Sequence, residues 1–371
     1  MLSPQISMTG WLAQGNVENM LASAASVMPD SMRMAPRDPF ASVQSKITAP
    51  LYTGGRLQAM AGASRAGADV AAAEVQEALQ EVRLDVTARY LEALLKRSLM
   101  EVAEMRLQAQ QEQTRIMEAL YEQGKVPLAY VLRSRAAEAE ATQSLTTARN
   151  DLQKSLLELQ ASMGVSPTGE VRLPALSPDF AWNVPSAVDE ATQRAMRGRA
   201  LLRAQGERVR MMRLEQRGAE GALSPQAYVT ASADWWKATN LPAQSGFTVA
   251  LVLSVPLWNG ELQARVQEAS AVVVEEEANW RLVQIQVENE VRQAWLDMHT
   301  AEANLASARL FLQNAEETYR VSTLRVQEGK APFVEQIDAL AALTDARTRL
   351  LEAQTAQWLA RARLLRAMGE L

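Results

Sequence analysis

The sequence predicts a mostly helical protein with a small β part: two tandem repeats of a long antiparallel helical hairpin, with four short strands. Three observations carry this. Gly124-Lys125-Val126-Pro127 recurs as Gly329-Lys330-Ala331-Pro332 and Met163-Gly164 as Met368-Gly369, and 329 minus 124 and 368 minus 163 both give 205 residues. A constant separation of that size marks a duplicated structural unit. No proline falls between Arg56 and Gln123, and neither proline nor glycine between Glu261 and Glu328. Both stretches therefore lack the residue that most strongly ends helices, and the second lacks glycine as well. Finally, four segments alternate apolar and polar residues with the period of two expected of strands.

Taken in order, repeat 1 spans 1–205 and repeat 2 spans 206–371. Strands are expected at about 4–12 and 41–52, then at about 226–236 and 246–257. In the last, Phe247, Val249, Leu251, Leu253 and Val255 alternate with Thr248, Ala250, Val252 and Ser254. Each is about ten residues, the length that crosses a bilayer when tilted. Trp11 with Trp235 and Trp236 stand at one end, Tyr52 and Trp258 at the other, as interfacial aromatic belts would.

PLYTGGRLQA from Pro50 and PLWNGELQA from Pro256 open the long helices, expected over 56–123 and 261–328. At 1.5 Å per residue each is roughly 100 Å long. Their apolar stripe is narrow, as in Val82, Val86 and Tyr90 and their counterparts Val287, Val291 and Trp295, so helices pack side by side with much surface wet. At Gly124-Lys125 and Gly329-Lys330 glycine supplies the left-handed cap, and Pro127 and Pro332 open return helices over 128–164 and 333–369. Prolines 167, 174, 178 and 185 then interrupt order, and a helix over about 187–220 begins the second repeat.

Composition removes several function classes. The chain has no cysteine and one histidine, His299, which leaves little for thiol, zinc or triad chemistry; no enzyme, cofactor or metal site is expected. Met20, Met28, Met32 and Met34 are irregularly spaced and read as a loop rather than a copper site. A net charge of −5 and pI near 5.3 argue against nucleic acid. No apolar run is long enough for a transmembrane helix.

Four strands cannot close on themselves, and an open edge in lipid leaves backbone groups unpaired. Two copies would give eight strands and three would give twelve; only the larger ring encloses a passage.

These elements together, from PLYTGG and PLWNGE through Tyr90 and Trp295, the Gly-Lys-x-Pro reversals and the closing Met-Gly pairs, resemble the outer-membrane efflux protein family (TolC-like). The resemblance implies a homotrimeric α/β-barrel channel in the outer membrane of a Gram-negative bacterium, reaching through the periplasm. It also implies a periplasmic adaptor, met at the hairpin turns Gly124, Lys125, Pro127, Gly329, Lys330 and Pro332, and an inner-membrane efflux transporter. Glu335 and Asp338, spaced i, i+3, match acidic positions that line the family's closed entrance. The ion pair that helps latch that entrance falls here on Tyr130 and Ala331, so closure is expected to use other contacts, from Arg133 or Arg135. In the second repeat LSPQ at Leu223 follows a helix, whereas in the first it follows Met1. The family carries a helix there and a secretion signal before it, so an internal start or a fragment is expected. The alternatives are a type I protein-secretion duct, a periplasmic adaptor, which lacks support because no lipoyl-like segment is present, and a soluble coiled-coil scaffold.

Overall fold

A computed structural model describes residues 5–14, 39–166, 172–174, 183–238 and 242–371. The loop methionines and residues 2–4 of the first LSPQ lie outside them. The described elements are β1 (Gln5–Gln14), β2 (Pro39–Tyr52), α1 (Arg56–Glu122), α2 (Leu128–Ser162), α3 (Val188–Gly198), α4 (Ala200–Gly221), β3 (Gln226–Ala238), β4 (Gln244–Ser254), α5 (Gly260–Gln327) and α6 (Phe333–Met368).

Two compact units emerge. One comprises residues 1–70 and 205–280, the other 71–204 and 281–371, so each draws on both repeats. In the first unit the strands form one antiparallel sheet in the order β1-β2-β3-β4. β2 runs from Pro39, earlier than expected, and is irregular between Pro50 and Tyr52. A proline without an N–H belongs at such a bulge. β4 ends at Ser254, short of 257, where Pro256 cannot extend the ladder.

The α1 turn differs from its counterpart before α5. Gly54 has φ +60°, and a Cβ there would stand 2.6 Å from the Gly221 carbonyl oxygen, so PLYTGG needs this glycine where α4 ends. Before α5, Asn259 does the capping instead: its Oδ1 accepts the Leu262 N–H at 3.1 Å.

In the second unit both long helices end as expected. Gly124 and Gly329 each have φ +69°. Lys125 N–H donates to the Leu120 carbonyl at 2.9 Å and Lys330 N–H to that of Arg325 at 2.8 Å, closing the helices with Schellman-type bonds. Val287, Val291, Met298, Leu364 and Met368 form the main core with Ala191 and Ala195 of α3. At the reversals Met117, Val131 and Phe333 form a smaller cluster.

The helix expected over 187–220 is interrupted. Arg199 has φ −68° and ψ 123° and separates α3 from α4. Gly198 weakens the helix just before the break, and the left-handed end of α6 lies against it: a Cβ on Gly369 would stand 3.2 Å from Arg199 Cα.

Candidate functional site: sheet faces, reversals and charged turns

The sheet register sorts side chains by chemistry. Ile47 pairs with Ile6 and Ala231, and Ala231 with Val249. Residues in step with them, Met8, Leu12, Val43, Val229, Trp235, Phe247, Leu251 and Leu253, make one face mainly apolar, with Ser45, Ser245 and Lys237 as its polar members. The opposite face carries Ser7, Thr9, Gln44, Lys46, Thr48, Thr230, Ser232, Asp234 and Thr248. The apolar face is open: Leu12, Phe247 and Leu251 are all exposed. The outer edges of β1 and β4 have no strand partner among the described residues.

Register also divides the aromatics. Trp235 lies on the apolar face opposite Val43, and Trp236 on the polar face opposite Ser42. Tyr52, past the irregularity in β2, pairs with Ala227 of the apolar face, and Trp11 occupies the register position across from Ser42. Trp258 lies beyond β4 in the turn before α5, and is exposed.

At the reversals, Glu335 and Asp338 occupy the first two turns of α6 but have different surroundings. Glu335 accepts a hydrogen bond from Arg325 of α5 at 2.7 Å, whereas Asp338 is exposed and has no polar partner among the described residues. Proximity to Glu335 was legible in the spacing; its neutralisation by Arg325 was not. Lys330 pairs with Glu328 at 2.7 Å, and Lys125 has no such partner among the described residues. Tyr130 packs against the apolar cluster around Phe333. Of the two arginines considered for closure, Arg135 holds Glu118 at 2.7 Å and Arg133 is exposed. Further along, Glu112–Arg115 and Glu317–Arg320, one pair in each repeat, are both 2.6 Å ion pairs. The hydrogen bonds from Arg115 and Arg320 hold both carboxyls below the ordinary range.

Two features escaped sequence reasoning. Arg199, its side chain only 1% exposed, lies 2.8 Å from Glu290 and 3.1 Å from Glu77 and donates to the Ala367 carbonyl. Arg366 joins the same group through Glu290, Glu81 and Glu77. Gln110, Thr114 and Ser134 form a buried polar layer between α1 and α2. The repeat could have flagged the second: 205 residues on, Gln110 and Ser134 become Ala315 and Ala339.

The family model for outer membrane efflux proteins matches residues 4–165 and 191–370. The chain belongs to that family. Its members are non-enzymatic channel proteins of the outer membrane, and this chain is one of them. No curated protein shows significant sequence similarity to it. Among solved structures it is similar to the outer membrane protein VceC of Vibrio cholerae, at TM-score 0.79 and 16% identity over 99% of this chain and 87% of that one. It is similar to CusC at 0.81 and 15%, covering 99% and 83%, and to the open state of the MtrE channel of Neisseria gonorrhoeae at 0.78 and 16%, covering 99% and 81%. At these identities the likeness concerns the fold: long helices, return helices and four strands in one order.

Proposed function

We propose that this efflux protein is the exit duct of a tripartite system, a homotrimer whose sheets join into a twelve-stranded barrel and whose helices continue as a passive conduit through the periplasm. The carrying observation is the four-stranded sheet with one apolar face, one polar face and two unpaired edges. In hydrocarbon each unpaired backbone group costs several kcal/mol, so the edges must meet other edges. The apolar face then meets outer-membrane lipid and the polar face lines the passage. Three copies leave room for a passage that two would fill with side chains.

The reversals Gly124 to Pro127 and Gly329 to Pro332 are the proposed contact with a periplasmic adaptor, which couples the duct to an inner-membrane transporter. Asp338 and Glu335 form the entrance, with Asp338 the carboxylate free to favour cations. The expelled substrate is set by the pump, because a wide conduit selects little. The aromatics Trp11, Tyr52, Trp235, Trp236 and Trp258 mark the two rims of the barrel, with Trp235 on the side turned to lipid. The two repeats divide at residues 205 and 206 as units of duplication.

Outer-membrane fractionation with chemical cross-linking tests the core of this reading. A trimer in the outer membrane supports it, and a soluble dimer would support the scaffold instead.

A further inference from the structure

Of the ten asparagines in this chain only Asn259 is followed by glycine, and glycine leaves the next backbone nitrogen without a Cβ to hinder its approach to the side-chain amide. Asn150, Asn279, Asn289, Asn304 and Asn314 lie inside α2 and α5, where the following N–H is held by a carbonyl four residues back. Asn259 lies outside, in the exposed turn between β4 and α5. Gly260 opens α5, and the first bond back to the turn runs from the Gln263 N–H to the Asn259 carbonyl at 3.2 Å. The Gly260 N–H therefore has no partner within the helix. The Asn259 amide is held over that helix end, its Oδ1 accepting the Leu262 N–H at 3.1 Å.

We propose that Asn259 is a modification site, which converts in the folded chain, without an enzyme, to aspartate and isoaspartate. Hydroxide removes the Gly260 amide proton, and the nitrogen attacks Asn259 Cγ. A succinimide ring closes as the bond from Cγ to the amide nitrogen breaks, and that nitrogen leaves as ammonia with a proton from water, which restores the hydroxide. A second water opens the ring, at Cγ to give aspartate or at the main-chain carbonyl carbon to give isoaspartate. The turn favours both charged stages. Gly260 stands at the positive end of a 68-residue helix, which favours the deprotonated nitrogen. The Leu262 N–H already meets the oxygen on which negative charge develops when Cγ is attacked. The products differ in effect: aspartate keeps an oxygen in the capping position and adds a charge that the helix end favours, whereas isoaspartate carries the backbone through Cγ and loses the cap. In PLYTGG the place of Asn259 in PLWNGE is taken by Thr53, which has no amide to lose. The inference stands on this turn and would survive failure of the duct reading.

The test holds the full chain in warm, mildly alkaline buffer, folded in detergent or unfolded in urea, and maps aspartate and isoaspartate by peptide. Conversion at Asn259 in the folded chain is expected within about tenfold of its rate in urea, with the helical asparagines intact. Gly260→Ala should slow it about tenfold or more. That variant should fold normally, since a Cβ there would meet nothing within 4 Å. Chains bearing isoaspartate should exchange the Leu262 amide faster than Asn259→Asp chains, and equal exchange would remove the loss of the cap. Folded chains that keep Asn259 while unfolded chains convert it overturn the proposal, as does conversion indifferent to Gly260→Ala.

Discussion

Asp338 and Glu335 sit one helical turn apart, yet only one acts as a free charge. Arg325 reaches Glu335 from α5, and Asp338 has no such partner among the described residues. Asp338→Asn should therefore lower the cation-over-anion permeability ratio about twofold in planar-bilayer recordings; an unchanged reversal potential would remove the entrance role. Glu112 and Glu317 are exposed but held below the ordinary carboxyl range by Arg115 and Arg320. A lowered folded-state pKa stabilises above the unfolded value of about 4.3 and is lost as pH falls through the folded value. The double variant Glu112→Gln, Glu317→Gln should show a slightly smaller drop in thermal midpoint on acidification below about pH 4. Arg199 is the opposite case, buried and shared between two carboxylates. Arg199→Met leaves Glu77 and Glu290 with Arg366 as their remaining partner and should cost about 2 kcal/mol, read as a lower denaturant midpoint.

Among elements, the helix ends were legible and the helix break was not. Gly-Lys-x-Pro specifies its turn through local physics: glycine tolerates positive φ, and proline cannot extend a helix. The structure places Gly124 and Gly329 at the same φ of +69°. Arg199 follows Gly198, which weakens the helix locally, but its partners there are Gly369 and the carboxylates of α1 and α5, far away in sequence. The polar layer of Gln110, Thr114 and Ser134 has a similar origin. Next to it Gln113 is buried with neither amide atom hydrogen-bonded. Gln113→Leu keeps the volume and removes that cost, so stability should rise by about 1 kcal/mol; a fall would mean that the amide has a partner in the assembled protein. Strand ends shifted from expectation at Pro39 and Ser254, since pairing, not propensity, decides where a ladder stops.

For the whole molecule, the unpaired edges of β1 and β4 make the strongest demand. Because the chain has no cysteine, engineered pairs report without background. A scan pairing cysteines on β1 residues 6–12 with β4 residues 245–253 should yield a ladder ending at a covalent trimer on denaturing gels. A ladder stopping at dimer would exclude the twelve-stranded ring.

The duplication, the two long helices, the reversals and the strands were determined by the sequence alone, because each follows from spacing, from glycine and proline, or from periodicity within a short window. Which carboxylate stays free, what holds the break between α3 and α4, and which faces Trp235 and Trp236 take were decided only by the tertiary structure. Those outcomes depend on partners brought together across tens to hundreds of residues and on a strand register that a single slip would invert.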